Sequence, residues 1–207
     1  MAFVIVLHLS PKHESVADQV LQRATKMRVV QVTTPTRIEK NSIYLISPSN
    51  NLSMEDGQLC VTHVDRLPGR PVTIDLFFRS LAEAHGARAI SIILSGSGSD
   101  GSVGIGRMKE FAGITIAQSP EDAEYEDMPR NAIATGMVDI VLPIVDIPQK
   151  LIELWTNMRA IELPQSAQGG PVFLAGVGEH MIEEFIVRVI AQDGCEPLRN
   201  VNNWSES

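Results

Sequence analysis

The chain has 207 residues, of which 44% are apolar and 20% are charged, a balance typical of one globular domain rather than a disordered chain. Its formal net charge of -8 argues against binding to nucleic acid, because phosphate contacts require clustered Lys and Arg. The two cysteines, Cys60 and Cys195, form no CxxC motif, so neither a metal site nor a redox pair is indicated, and a cytoplasmic location fits.

The N-terminal third of the sequence begins with a strand of the buried type. Residues 2–7 (AFVIVL) form a continuous apolar run, typical of a parallel strand covered on both faces. The run is far shorter than the ~20 residues that cross a bilayer, so no membrane insertion is predicted. Ser10 and Pro11 then have the residue types of a helix N-cap and first turn, and predict a helix to about residue 25. The next predicted elements are two strands and a hairpin around Asp56-Gly57, over 29–32, 41–46 and 52–64.

Strands and helices alternate through the rest of the chain as far as residue 158. The strands are short apolar runs of the type that is buried on both faces, and the helices carry one apolar face. This alternation predicts an α/β fold with a doubly wound, mostly parallel sheet in three layers and an antiparallel hairpin insert. The predicted elements are helix 74–85, strand 89–94, helix 103–111, strand 114–117, a capped helix start at 119–122, helix 128–135, strand 138–142 and helix 147–158.

The composition changes after residue 160. We predict an α/β domain over 1–160 and a C-terminal extension over 161–207. Within the extension, 163–170 (LPQSAQGG) is typical of a linker. A short apolar piece at 172–175 and an amphipathic helix over 181–191 follow it.

A Gly/Ser loop at 94–101 (LSGSGSDG) follows a buried strand and opens a helix, where sites form in open α/β sheets. One interpretation is a dinucleotide site, since Gly96, Gly98 and Gly101 match G-x-G-x-x-G. The acid that binds the ribose should then end the next strand, but Gln118 stands there. Asp122, a few residues on, is better explained as a residue of the first turn of a helix.

A second interpretation of the same loop centres on Asp100. A carboxylate held at a sheet edge can accept a hydrogen bond from a histidine and select its tautomer, as in a Ser-His-Asp triad. His8, at the end of the first strand, is the candidate histidine. Two structural explanations stay open: Asp100 caps the helix that starts at Gly101, and His8 is a packed core residue. The other histidines have no carboxylate at useful spacing and are predicted to be surface or capping residues: His63, His85 and His180.

Five separated segments resemble, in the same order, the catalytic domain of bacterial chemotaxis protein-glutamate methylesterases. The resemblance covers about residues 1–158 and is greatest to the versions fused to a receptor methyltransferase. It implies hydrolysis of glutamate methyl esters and deamidation of glutamines on chemoreceptors, without a metal or an organic cofactor. The segments are 3–11 (FVIVLHLSP), 74–80 (IDLFFRS), 94–101 (LSGSGSDG), 117–120 (AQSP) and 128–134 (MPRNAIA).

The resemblance also implies roles for individual residues and partners. His8 matches the family base, which takes the serine proton and passes it to leaving methanol, and Asp100 matches the aspartate that orients it. The implied partners are the methylated cytoplasmic helices of chemoreceptors, with receiver or methyltransferase domains as further partners. Residues of the two loops that would flank the substrate are Ser97, Gly98, Met128, Pro129 and Arg130.

The family serine lies upstream of the histidine, in a Ser-Thr-Gly-Gly loop after a first strand, and this sequence starts at the second strand of that scheme. Ser10 is explained as an N-cap, and the serines beside Asp100 are explained by loop flexibility. We therefore expect the acyl-enzyme route to lack its nucleophile, and the sheet to have a free apolar edge. A shortened sequence would explain this, and so would a non-catalytic module that binds receptors on the same fold.

Overall fold

A computed structural model describes residues 1–7, 17–47, 50–63, 72–160 and 172–177. His8, the helix start at Ser10, the linker 163–170 and the helix 181–191 lie outside these ranges. No helix among the described residues is long and apolar enough to cross a membrane. The elements are β1 Ala2–Leu7, α1 Ala17–Ala24, β2 Arg28–Val32, β3 Thr36–Arg37, β4 Ser42–Ile46, β5 Asn50–Glu55, β6 Gln58–His63, α2 Thr73–His85, β7 Ala89–Ile93, α3 Ser102–Glu110, β8 Ile114–Gln118, α4 Asp127–Ala134, β9 Ile140–Leu142, α5 Ile147–Ala160 and β10 Val172–Val177.

The main sheet has seven strands in the order β2-β4-β1-β10-β7-β8-β9, and every pairing within it is parallel. Strands β4 and β7 are buried along their whole length, as expected where helices cover both faces of a parallel sheet. The predicted α/β class with a mostly parallel, doubly wound sheet is confirmed.

Helix α2 supplies several large side chains to the core beside the sheet. Phe77, Phe78 and Leu81 are fully buried and recur at the spacing of one helix face. Each such side chain contributes roughly 1.5–3 kcal/mol by leaving water. The helix is thereby fixed against the sheet, and its N-terminus is held at the edge where the parallel strands end.

The antiparallel insert is confirmed as a second sheet with the order β3-β6-β5. Asp56 and Gly57 adopt φ angles of 48° and 75°, the left-handed pair that a two-residue hairpin turn requires. The backbone N–H of Met54 donates to Oγ of Ser80 at 3.0 Å, which ties this hairpin to α2.

Two sequence expectations about elements after β8 are wrong. Residues 119–122 form turns rather than a helix start, because the carboxylate of Asp122 accepts hydrogen bonds from the Gln118 side chain at 2.9 Å and from the backbone N–H of Ile144 at 2.7 Å. Strand β9 is not fully buried: it is the last strand of the sheet, and Val141 is 44% exposed.

The expected free edge beside β1 is absent. Strand β1 pairs with β4 on one side and with β10 on the other. The apolar piece predicted at 172–175 is part of a six-residue strand. A strand from the C-terminal extension thus lies in the middle of the sheet, next to the first strand of the chain.

Candidate functional site

The Gly/Ser loop joins β7 to α3 at the carboxyl edge of the sheet. Ser95 is fully buried; its backbone N–H donates to Oε1 of Gln118 at 2.8 Å, and its Oγ accepts from the backbone N–H of Tyr125 at 2.9 Å. The backbone of Gly96 donates to the carbonyl of Tyr125 at 3.0 Å and accepts from the N–H of Met128 at 2.9 Å. The first residues of the loop are therefore fixed to the segment that leads into α4.

Asp100 caps the N-terminus of a neighbouring helix. Its Oδ2 accepts from the backbone N–H of Ile74 and its Oδ1 from that of Asp75, both at 3.0 Å. These are N–H groups of the first turn of α2, which have no partner within the helix itself, and the helix's own N-cap residue, Val72, supplies no side-chain bond. Asp100 is only 9% exposed, so its carboxylate is held rigidly.

Asp75 returns the same kind of contact to α3. Its Oδ1 accepts from the backbone N–H of Gly104, in the first turn of α3, at 2.7 Å. The two helices approach closely here, since a Cβ on Gly104 would lie 2.6 Å from Cβ of Phe78. Two carboxylates thus cap the starts of α2 and α3 in a crossed arrangement that also suits the helix dipoles.

The explanation that Asp100 caps the helix starting at Gly101 is wrong, because Asp100 caps a different helix. The N-cap of α3 is Gly101, and no side chain caps that helix from this position. Asp100 instead caps α2, whose first turn lies 25 or 26 residues earlier in the chain. Gly101 adopts φ 93°, a conformation that favours glycine, and this turn directs the preceding carboxylate away from its own helix.

The predicted contact residues lie on the two sides of the loop. Ser97 and Gly98 are exposed, whereas Met128 and Pro129 are buried. A Cβ on Gly96 would overlap the sulfur of Met128, so this glycine allows α4 to pack against the loop. Arg130 is exposed and pairs with Glu126 at 2.5 Å; this hydrogen bond and charge raise the pKa of Arg130.

Three residues at the carboxyl edge of the sheet hold the Gly/Ser loop in place, and the sequence by itself indicated no role for them in the site. Asn131 donates from Nδ2 to the carbonyl of Gly98 at 2.8 Å and so holds the exposed end of the loop against α4. Asp75 anchors α3, the helix that follows the loop. Gln118 anchors the first residues of the loop. Their partners lie 23 to 33 residues away in the chain, and no local pattern signals contacts at such separations.

The dinucleotide interpretation does not fit this geometry. A pyrophosphate would bind at the N-terminus of α3, where the carboxylate of Asp75 already accepts the N–H of Gly104. Two of the three glycines serve internal packing: Gly96 against Met128, and Gly101, whose Cβ would lie 2.9 Å from both Ile74 and Ile93.

No group of three or more His, Cys, Asp or Glu side chains able to hold a metal ion is found in the described ranges. What the described edge offers is a rigid carboxylate beside an exposed Gly/Ser loop. A carboxylate has about four lone-pair sites, so it can accept more than two hydrogen bonds at once. His8 lies outside the described residues and follows Leu7, the last residue of β1.

Comparisons with known proteins point to one family. Residues 1–151 match the family model described as CheB methylesterase. The fold resembles the crystal structure of the Thermotoga maritima CheB methylesterase catalytic domain, with a TM-score of 0.61 and 23% sequence identity, over 74% of this chain and 97% of that one.

Two curated relatives differ in size. An uncharacterized 104.1 kDa protein of Rhodobacter capsulatus is 41% identical over 178 residues, which are 86% of this chain and 18% of that protein. A putative protein-glutamate methylesterase/protein-glutamine glutaminase of Leptospira interrogans is 28% identical over 155 residues, 74% of this chain and 80% of that protein. The chain therefore spans less than a fifth of the first relative's length.

Proposed function

Because the chain belongs to the CheB methylesterase family, we propose that it acts on glutamate methyl esters of chemoreceptor helices, and on glutamines at equivalent positions. The proposed chemistry is ester or amide hydrolysis in which His8 moves the proton and Asp100 orients His8. The observation that carries the proposal is Asp100 itself, a buried carboxylate fixed by two backbone N–H groups at the carboxyl edge of the sheet.

The sheet register supports a meeting of His8 and Asp100. Leu7 pairs with Val177, and Ile93 pairs with Gly176, so β1 and β7 end at nearly the same level. They are two strand positions apart, roughly 10 Å. His8 follows β1 directly and Asp100 lies on the loop that follows β7, so the two side chains can bridge a gap of this size, as triad geometry requires.

The proposed roles divide the site into two parts. His8 would accept the proton of the attacking hydroxyl, which in the family belongs to a serine, and donate it to the methoxide oxygen, so that methanol leaves as the tetrahedral intermediate collapses. The exposed residues Ser97, Gly98 and Arg130 would contact the receptor segment on either side of the ester, and the buried Met128 and Pro129 would support them from α4. Receptor helices, and receiver or methyltransferase domains, are the proposed partners.

A second candidate function is a non-catalytic module on the same fold, because β10, the strand between β1 and β7, is followed in sequence by Gly178-Glu179-His180, which has no hydroxyl or thiol. A domain without a nucleophile would bind methylated receptor segments without cutting them. Removal of one triad member lowers the rate of triad hydrolases by several powers of ten, so the two functions differ greatly in turnover.

The deciding experiment measures methanol release from a synthetic receptor-type helix peptide that carries a glutamate methyl ester. Turnover that His8→Ala and Asp100→Asn each reduce by ~100-fold or more would support hydrolysis at this site. Turnover that survives both substitutions would contradict it.

Peptide binding by the same variants tests the second function. Saturable binding without turnover, weakened by Ser97→Ala or Arg130→Ala, would favour the binding module. Glu153→Gln, on α5, is a matched control on the surface outside the site and should leave both turnover and affinity unchanged.

A further inference from the structure

Strand β10 occupies the central position of the main sheet. It pairs with β1 at six consecutive positions, from Ala2↔Val172 to Leu7↔Val177, and with β7 at five, from Ala89↔Val172 to Ile93↔Gly176. Without it, the strand order falls into two separate groups, β2-β4-β1 and β7-β8-β9. This strand comes from beyond residue 151, where the family match ends.

We infer that docking of β10 holds the strand that leads to His8 and the strand that leads to Asp100 in one sheet, so that the C-terminal extension is required to form the site. The inference rests on the proposed function in one respect, the assignment of His8 and Asp100 to the same site. It extends the domain past 160 and gives a role to part of the C-terminal extension.

The burial of the two neighbouring strands supports this role. Val4 and Val6 of β1 are fully buried, as are Ile90 and Ile93 of β7. An unfilled central position would expose two open strand edges beside these residues, and their N–H and C=O groups would lose their partners. Parallel sheets occur almost only where their strands are covered and paired, so the described sheet requires an occupant at this position.

The chain itself can supply that occupant. Helix α5 ends at Ala160 and β10 begins at Val172, which leaves eleven residues to join them. An extended chain of this length spans up to roughly 36 Å. Strand β9, which precedes α5, lies three strand positions from β10 in the sheet, a separation of about 14 Å. The connection is long enough for the same molecule to fill its own sheet.

The inferred strand also bears on the chemistry of the site. The sequence directly after Val177 is Gly178-Glu179-His180, which contains no hydroxyl or thiol. The strand between the two site strands therefore completes the sheet without a serine or cysteine next to its carboxyl end. This agrees with the second proposed function, in which the site binds without forming an acyl-enzyme.

A disulfide trap tests the register in the full chain. In a Cys60→Ser, Cys195→Ser background, Phe3→Cys and Phe173→Cys place two thiols on paired positions, where neighbouring strands are about 4.8 Å apart and a disulfide fits. Phe3→Cys with Ala175→Cys, two residues out of register, is the matched control.

We expect rapid formation of an intramolecular disulfide in the paired variant, with at least ~10-fold slower formation in the control, as the geometric requirements of a disulfide predict. Equal rates in the two variants would overturn the inferred strand. Formation of a covalent dimer in place of the intramolecular bond would overturn its assignment to the same molecule.

Hydrogen exchange of the full chain tests whether the two halves depend on the strand. Ala175→Pro removes an N–H from a strand that is paired on both sides, where proline is not tolerated. Exchange over both β1 and β7 should accelerate by ~10-fold or more, while the β5–β6 hairpin in the second sheet keeps its protection.

Ser166→Pro is the control, since it adds a proline to a segment that already contains Pro164 and Pro171. Unchanged protection of β1 and β7 in Ala175→Pro would contradict the inference. If that variant fails to fold, the disulfide trap decides. Neither readout involves an ester, so a failed strand assignment is distinguishable from a failed enzymatic assignment.

Discussion

The two ends of α2 meet their surroundings in opposite ways. At the N-terminus, the backbone N–H groups of Ile74 and Asp75 donate to the carboxylate of Asp100. At the C-terminus, both ring nitrogens of His85 are buried and have no hydrogen-bond partner among the described residues. The helix dipole favours an anion at the first end and a cation at the second, but only the first end holds the favoured charge.

Burial explains the difference. It lowers the pKa of His85 from 6.5 to about 4, with a smaller contribution from the charge of Arg88. The dipole is worth only 0.3–1 kcal/mol at exposed sites, which is too little to offset the loss of hydration by an imidazolium. The sequence expectation that His85 is a surface or capping residue is wrong. The comparison shows that the N-terminus of α2 holds a fixed carboxylate, whereas its C-terminus holds a buried imidazole that burial keeps neutral.

The largest predicted loss of stability comes from a steric clash beside Asp100, at the N-terminal end of α2. Gly101→Ala should destabilise the fold by about 3 kcal/mol, because the new Cβ would lie 2.9 Å from Ile74 and Ile93 at a φ of 93°, adding overpacking to backbone strain. Urea unfolding measures it. Gly98→Ala has a similar φ of 89° with nothing within 4 Å, so it isolates the strain at about 1 kcal/mol. Equal losses in both variants would mean that Gly101 is not packed as described.

Removal of the capping carboxylate should come next in size. Asp100→Ala leaves the N–H groups of Ile74 and Asp75 without this acceptor, and we expect a loss of roughly 2–3 kcal/mol by urea unfolding. Asp100→Asn keeps one acceptor oxygen and should lose about half as much. A neutral result for Asp100→Ala would show that the first turn of α2 finds other acceptors.

The opposite end of α2 should respond to pH. The pKa of His85 is lower in the folded protein than its usual 6.5, so its stabilising contribution is complete above pH 6.5 and is lost as pH falls toward 4. A full shift would correspond to about 3 kcal/mol; because His85 as a residue is only half-buried, although its ring nitrogens are covered, we expect on the order of 1–2 kcal/mol.

His85→Leu should remove this part of the acid destabilisation when unfolding is compared at pH 7.0, 5.5 and 4.5. His63→Leu removes an exposed histidine and serves as the control. Parallel pH profiles for wild type and His85→Leu would show that the buried ring does not govern the acid response.

The smallest effect concerns the reciprocal cap. Asp75→Asn keeps an oxygen that can accept the N–H of Gly104 but removes the charge, so a loss of about 0.5–1 kcal/mol is expected. Thermal unfolding in low salt resolves it. Glu83→Gln weakens the exposed pair with Arg107, which is 2.9 Å long, and should cost less, about 0–0.5 kcal/mol. A larger loss for Glu83→Gln than for Asp75→Asn would mean that the exposed ion pair of α2 stabilises the protein more than the carboxylate in its first turn.

Much of the local structure was predictable because it is encoded locally. The apolar run 2–7, the Asp56-Gly57 turn and the one-sided apolar pattern of α2 each identify their element from adjacent residues. The same holds for the loop around Asp100, since glycine and serine between a buried strand and a helix indicate a strand-end site.

Contacts between distant parts of the chain were not predictable in this way. The start of a helix at 119–122 was expected from its capping pattern, but the carboxylate of Asp122 bonds instead to Gln118 and Ile144. The preference of an acidic residue for the first turn of a helix is worth roughly 0.3–1 kcal/mol, and the hydrogen bonds from the nearby Gln118 and the distant Ile144 to the same carboxylate outweigh it.

The sequence by itself determined most of the strands and helices, and that Asp100 ends a loop suited to a site. Only the tertiary structure decided which helix Asp100 caps and which strand lies beside β1. The physical reason is that periodicity records the face a residue presents, whereas strand order and backbone acceptors depend on packing across the whole sheet.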